Sequence, residues 1–322
     1  MLVGDDGGAR PLDSAIFRVR CSQAVKINPL IKYAPKYENP DNKTFRRTSS
    51  LVQRRIVAVG DLHGDLESAL SVLRMAHVID SDGKWAGGSN TVLVQTGNVI
   101  DHGPDTKELL MLFPRLVQEA NRAGGRVIQL LGESEVMNMG GDLRYVKERP
   151  DAFLSPESRA TTFSSTGYLG SRLSNLPTVH RIGTTVFVHG GIQLKRANTN
   201  IQATNKLAKS ELDAYVRQPT LTANYPMLLG NDGLLRYSSH SMHPGRLACD
   251  SLKRTLYAMG ATRMVVGRVL QNDGKITPQC GGLLVAINTG ISRYIRGKQA
   301  ALEILPGGQL RALYPSGPID FA

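Results

Sequence analysis

Arg55-Ile56-Val57-Ala58-Val59-Gly60-Asp61-Leu62-His63-Gly64-Asp65 is the stretch from which the fold can be read. A short β-branched run closing on Gly-Asp reads as a buried strand that delivers a carboxylate at its tip. Leu66, Ala69, Leu70, Leu73 and Ala76 then recur at helical spacing up to residue 77. The pattern returns at residues 91–97, an apolar run ending in Gly97. It is followed over residues 106–123 by Leu109, Leu112, Phe113, Leu116, Val117 and Ala120 at helical spacing. Gly124-Gly125 is the expected stop for that helix. A third run, residues 126–131, leads into Gly132. Three strand–turn–helix units with polar residues at each strand's C-terminal tip predict an α/β sheet that presents its site along those tips.

The second half has a different texture. Residues 150–180 and 193–245 read as loop-rich or helical insertions around a strand at 184–189. Short strands are then predicted at 263–266, 275–277, 283–287 and 300–305, with a helix near 247–259. These imply a second sheet packed on the first, and no internal repeat is present. The domain is placed at residues 55–305, preceded by an arm at 1–54. Residues 306–322, rich in Gly and Pro, read as a short tail.

With 322 residues, 41% of them hydrophobic, the chain can bury one large core or two modest ones. Cys21, Cys249 and Cys280 are too few and too scattered for a disulfide framework or a cysteine-rich zinc site, and read as reduced thiols. That reading places the protein inside the cell, cytoplasmic or organellar with a mitochondrial address among the options, and not secreted. The Asn42-Lys43-Thr44 sequon is then idle. There is no apolar run of the roughly 18 residues that a membrane span needs, and residues 1–10 carry Asp5 and Asp6 with no signal-peptide character.

The net charge is +12, and residues 1–55 hold eleven Lys/Arg against five Asp/Glu. Lys26, Lys32, Lys36, Arg46 and Arg47 interleave there with Tyr33, Tyr37, Phe45 and several prolines, without helical or strand period. Such an arm suits an extended role in a larger assembly, with protein partners and RNA phosphate as binding targets. The plainer reading is a solvated leader carrying ordinary solubilising charge.

Five motifs in order carry a resemblance: Gly60-Asp61-Leu62-His63-Gly64-Asp65, Gly97-Asn98-Val99-Ile100-Asp101-His102-Gly103, Gly132-Glu133-Ser134-Glu135, Phe187-Val188-His189-Gly190-Gly191 and Val265-Val266-Gly267-Arg268. With Val136-Met137-Asn138-Met139, Gly141-Asp142-Leu143-Arg144-Tyr145-Val146 and Thr289-Gly290-Ile291-Ser292-Arg293, the chain resembles the calcineurin-like metallophosphoesterases. Within them it is most similar to the Shewanella-like branch of the PPP Ser/Thr phosphatases. The resemblance covers about residues 55–305. It implies an α/β, metallophosphoesterase-type β-sandwich of two mixed sheets flanked by helices, here with an extended N-terminal arm. It also implies a pair of metal ions that clamp the phosphoryl oxygens and generate hydroxide at neutral pH.

Carried over residue by residue, that implied site is depleted. Asp61 and His63 match first-metal ligands and His189 a second-metal ligand. The bridging aspartate of the family is Asn98 here, an amide with no charge to share between two dications. Asp101 is retained, but the phosphate-binding arginine beside it is His102. The asparagine ligand and the histidine acid of the family are Glu133 and Ser134, and serine is a poor proton donor. The last histidine ligand is Arg268, a permanent cation. The second phosphate-binding arginine falls on Ser238, with Arg236 close by as a partial substitute. The replacements look mutually compensating, so Arg268 is expected to stand in for the second metal, paired with Glu133 and with Asp61 as a further candidate.

The bland readings sit beside these. Asp61 and His63 are as readily cap residues of the strand–helix turn, and His189 a packed turn histidine. His77, His180, His240 and His243 have no ligand spacing among themselves. The expectation is a pseudophosphatase without cofactor, serving as a structural or interaction module, within a ribonucleoprotein or other large assembly. The alternative is an active metallophosphatase acting on phosphoproteins or small phosphoesters through an altered Mn-, Fe- or Zn-type centre. A third reading is a binder of phosphoryl ligands through Arg236 and Arg268 that does not turn them over.

Overall fold

The computed structural model describes residues 54–147, 153, 155–219 and 224–321. The expected arm at 1–54, with Lys26, Lys32, Lys36, Arg46 and Arg47, lies outside the described residues but for Arg54.

Strand β1 (Arg55–Val59) has Val57, Ala58 and Val59 wholly buried. Its side chains alternate between two cores, Ile56 and Ala58 on one face and Val57 and Val59 on the other. A strand buried on both faces needs an unbroken apolar run, which is why the sequence shows no polar alternation there. Strands β2 (Thr91–Gln95) and β3 (Arg126–Gln129) pair with it in parallel. Between them run helices α1 (Leu66–Met75) and α2 (Thr106–Arg122). Helix α1 starts where the Asp65 carboxylate accepts from the Ser68 amide, 3.2 Å away. Helix α2 buries Leu109, Leu112, Phe113, Leu116 and Ala120, and the chain leaves it through Gly124 at φ +78°. A short helix α3 (Glu133–Met139) opens directly off the third strand.

Helices α4 (Pro156–Phe163) and α5 (Tyr168–Leu173) fill the first insertion, and α6 (Ile201–Arg217) and α7 (Ser239–Met242) the second. Strands β4 (Val179–Ile182) and β5 (Thr185–Val188) form a hairpin. Helix α8 (Arg246–Ala258) leads to β6 (Arg263–Val266), then come β7 (Thr277–Gln279), β8 (Leu284–Ala286) and β9 (Ala301–Ile304). The second sheet has the order β4-β5-β6-β8-β7, mixed in direction. Strand β7 lies at its edge and later than the expected 275–277, because Pro278 is tolerated where no ladder amide is needed.

Two expectations are corrected. Residues 306–322 are not a tail: β10 (Leu310–Tyr314) and β11 (Gly317–Asp320) extend the first sheet, whose order is β11-β10-β9-β1-β2-β3. Of the Gly and Pro residues that suggested a tail, Pro306, Gly307, Gly308 and Pro315 sit in the turns before the two strands and Gly317 and Pro318 open β11, with Gly307, Gly308 and Gly317 at positive φ. The cysteines are not all reduced thiols either, since Cys249 and Cys280 form a disulfide. They are 31 residues apart in sequence, but α8 and the turn before β8 bring their Cα atoms to 5.3 Å. The argument from free thiols to a reducing compartment loses its premise. Among the described residues, no helix is long and apolar enough to cross a membrane.

The two mixed sheets pack face to face over Ile56, Ala58, Val92, Val94, Ile128, Phe187, Val265, Val285 and Leu302. Helices cover the outer faces, Leu73, Leu109, Phe113 and Leu116 over the first sheet and Leu252 and Leu256 over the second.

Candidate active site at the strand tips

Six strands end on the same polar centre. Asp61 and His63 follow β1, Asn98 and Asp101 follow β2, Glu133 and Glu135 follow β3, His189 follows β5, Arg268 follows β6 and Asn288 follows β8. The turns that deliver them are strained: His63, Asn98, Asp101 and His102 have φ of 45°, 54°, 69° and 62°. Left-handed conformations at non-glycine residues persist only where surroundings over-determine them. Here Glu135 does so. Its buried carboxylate accepts the backbone amides of Gly132, Asn98 and Val99 at 2.9, 3.0 and 2.8 Å. Gly132 must be glycine, since a Cβ there would lie 2.1 Å from the Asn98 nitrogen.

Asp61 is at the middle. Its Oδ2 accepts from the amide groups of Asn98, at 3.0 Å, and Asn288, at 3.1 Å, and lies 3.5 Å from His63 Nε2. His189 Nδ1 donates to the Thr96 carbonyl at 2.9 Å, leaving Nε2 without a hydrogen-bond partner, and Asp61 Oδ1 also has none. Burial alone would push the Asp61 carboxyl up, but the imidazoles of His189 and His63 and the Asn98 amide outweigh it and hold it low. Burial likewise disfavours the charged His63 ring, and the Asp61 carboxylate reverses this. The helix-capping role expected of Asp61 and His63 belongs instead to Asp65, whose carboxylate also receives Arg293.

Beside this group lies a triad of charges. Arg236 Nε donates to Glu133 Oε1 at 2.7 Å, and Arg268 Nη1 donates to Glu133 Oε2. The expected pairing of Arg268 with Glu133 is therefore present, and Asp61 takes amides in place of the guanidinium. Two guanidinium groups share this one carboxylate. A cavity of about 270 Å³ adjoins them, lined by Glu133, Asp142, Arg144, Tyr145, Tyr215 and Arg236.

His102 stacks on Tyr145 with ring centroids 5.0 Å apart and meets His63 edge-on at 4.6 Å. Burial, with the neighbouring His63, pushes His102 down to about 4, so the residue at the arginine position is a neutral ring at neutral pH. Asp101 turns away from the centre to Asn138 Nδ2, at 2.8 Å, and to buried Arg159, at 3.3 Å. Burial pushes Asp101 up to about 7 against the pull of that guanidinium. Arg159 also lies over the rings of Phe153 and Phe163, which ties the first insertion to the site. Ser134 contributes its backbone amide, donated to Asn98 Oδ1 at 2.9 Å. Ser238 precedes the short helix α7 and its hydroxyl donates to Met242 Sδ at 3.1 Å.

Sequence reasoning missed Glu135, Asn288 and Arg159. Asn288 was findable, because it is the polar residue just past the apolar run at 283–287. Arg159 had no local signal, since Asp101 and Asn138, which it meets, are 58 and 21 positions away.

The donor set around Asp61 is tested against the metal pair that the resemblance implies. Two N–H donors face its Oδ2, and the position of the last histidine ligand carries a guanidinium. Those groups repel a cation, so the residues do not fit a metal pair.

A two-sheet α/β sandwich with a polar centre of this makeup at its strand tips is the architecture of a phosphoesterase domain. Residues 54–257 match the family described as calcineurin-like phosphoesterase, and the chain belongs to that family. An uncharacterised protein of Schizosaccharomyces pombe is 32% identical over 257 residues, 77% of this chain and 76% of that protein. Shewanella-like protein phosphatase 2 of Arabidopsis thaliana is 27% identical over 289 residues, 74% of this chain and 72% of that protein. The crystal structure of a cold-active protein-tyrosine phosphatase of a psychrophilic Shewanella species superposes with a TM-score of 0.74 at 25% identity, covering 85% and 84% of the two chains.

Proposed function

We propose that this chain is a calcineurin-like phosphoesterase that no longer turns over substrate and serves as a structural or interaction module. The observation that carries the reading is the Arg268–Glu133–Arg236 triad. A guanidinium paired with a carboxylate fills the place where a phosphatase of this family needs a neutral ligand and an open metal. Ser134 and His102 supply neither a strong acid nor a permanent cation for the phosphoryl group. The module's partner is an assembly reached through the basic arm. Its composition favours RNA phosphate together with protein, and Lys26, Lys32, Lys36, Arg46 and Arg47 are the contacts.

The test is metal content after incubation with excess manganese and desalting, combined with hydrolysis of p-nitrophenyl phosphate. The reading expects no stoichiometric metal and no turnover above the rate of an Asp61→Ala variant. Two metals per chain with turnover overturn it. For the arm, a fluorescent single-stranded RNA is expected to bind with steep salt dependence that disappears on deletion of residues 1–50. Binding that survives the deletion removes the arm from the proposal.

One observation favours a second reading, an active metallophosphatase. Asp61 Oδ1, His63 Nδ1 and His189 Nε2 are buried without a hydrogen-bond partner, as ligands awaiting a metal would be, and the named relatives are phosphatases. The Arg268 guanidinium and the two amide N–H groups on Asp61 Oδ2 repel a cation there, which is why this reading stands second.

A further inference from the structure

We infer that the centre is held in a metal-independent form by a double amide clamp on Asp61, and that one amide-to-carboxylate change makes its stability depend on metal. The inference rests on the reading above that the domain holds no metal pair.

Both jaws of the clamp have their orientation set by the backbone, independently of Asp61. Asn98 Oδ1 accepts the Ser134 amide at 2.9 Å, so the other end of that side chain must be the NH2 group, and it faces Asp61 Oδ2 at 3.0 Å. Asn288 Oδ1 accepts the Gly290 amide at 3.1 Å, so its NH2 group faces Asp61 Oδ2, at 3.1 Å, and the Arg268 carbonyl, also at 3.1 Å. The clamp joins the tips of β1, β2, β6 and β8 and, through Ser134, the start of α3. A bridging cation would join such tips through carboxylates, and here hydrogen bonds do it with no ion.

The cost of reverting one jaw follows from the same distances. An aspartate at 98 would keep one oxygen on the Ser134 amide and set the other about 3 Å from Asp61 Oδ2, where the amide now stands. Asp61 is 1% exposed and residue 98 is 8% exposed, so neither carboxylate could be hydrated. Two such charges need a shared proton or a cation between them. Asn98 is therefore a positioning residue for a state without metal.

The experiment is thermal unfolding of the full chain, wild type, Asn98→Asp, Asn98→Ala and Asn288→Asp, in EDTA and in 1 mM manganese chloride, with metal content measured in parallel. The wild type is expected to melt at the same temperature in both. Asn98→Asp is expected to melt ~5 °C or more below it in EDTA, since ~1 kcal/mol corresponds to about 2–4 °C at this size. Manganese should recover at least half of that loss with about one ion bound per chain. Asn98→Ala, which removes the amide and adds no charge, should lose stability without manganese rescue.

An Asn98→Asp protein as stable as the wild type in EDTA overturns the clamp, as does a loss that manganese does not restore. If Asn98→Asp does not fold, Asn288→Asp carries the same test with the same two overturning results. A wild type that itself takes up manganese points to failure of the underlying reading, which is separate from failure of the clamp.

Discussion

Removing the Glu133 carboxylate without changing its shape, by Glu133→Gln, should leave two guanidinium groups facing each other across a neutral amide. The Glu133, Arg236 and Arg268 side chains are 16%, 26% and 32% exposed, so the triad is neither a surface pair nor a buried one. Exposed ion pairs contribute ~0–1 kcal/mol, whereas breaking a fully buried pair costs ~3–5 kcal/mol. With two half-exposed pairs lost together and a like-charge contact created, the expected loss is about 2 kcal/mol, or ~4–8 °C in melting temperature. Screening should identify the cause. At 1 M salt the Debye length falls to ~3 Å, so the loss should shrink by about half. Inorganic phosphate should bind the variant, because the Glu133 carboxylate that both guanidinium groups now share is gone, and should raise its melting temperature more than the wild type's. Differential scanning fluorimetry over salt and phosphate gives all three readouts. A Glu133→Gln protein melting within ~1 °C of the wild type at low salt would refute the reasoning, as would a loss indifferent to salt.

Glu135→Gln should cost ~2–4 kcal/mol in a urea titration, because an amide oxygen cannot serve the three backbone N–H groups that the carboxylate now accepts, and buried donors are left unpaired. Reduction with dithiothreitol should lower the melting temperature, and Cys249→Ser should show the same loss and no further response to the reductant. In the chain-entropy account a 31-residue closure contributes ~3–4 kcal/mol. Asp65→Ala should destabilise by ~1–3 kcal/mol by calorimetry, through loss of the α1 cap and of the Arg293 contact.

The first half of the fold was legible because its strands and helices are long, periodic and punctuated by glycine. The β1–α1 and β2–α2 boundaries fall within two residues of their expected positions. Strands β10 and β11 were not legible, because a five-residue and a four-residue strand separated only by Pro315-Ser316 and flanked by glycines have the same composition as a tail. Only the pairing of β10 with β9, and of β11 with β10, distinguishes them. The disulfide was invisible for the same reason, being a contact made by packing α8 against the approach to β8. At the site, the pairing of Arg268 with Glu133 followed from charge balance among the positions that the resemblance aligns. The destination of Asp101 did not, because it depends on Asn138 and Arg159, which the insertion brings in from outside the motifs.

Hydrogen bonds among the described residues hold the turns of this centre. Each left-handed non-glycine residue costs of order 1–3 kcal/mol, and four of them lie at the tips of β1 and β2. In a metal enzyme, coordination can offset that strain. Here two other devices do it, the Glu135 carboxylate gripping Asn98 and Val99 from beneath and the amides of Asn98 and Asn288 gripping Asp61 from beside it. The two are coupled through residue 98, whose backbone amide is held by one and whose side chain serves in the other. Loss of Glu135 should therefore loosen the Asp61 clamp as well as the turn. In a double-mutant cycle, Glu135→Gln and Asn98→Ala should together cost less than the sum of their separate losses. Strict additivity would mean that turn and clamp are independent, and the strain would then need another explanation.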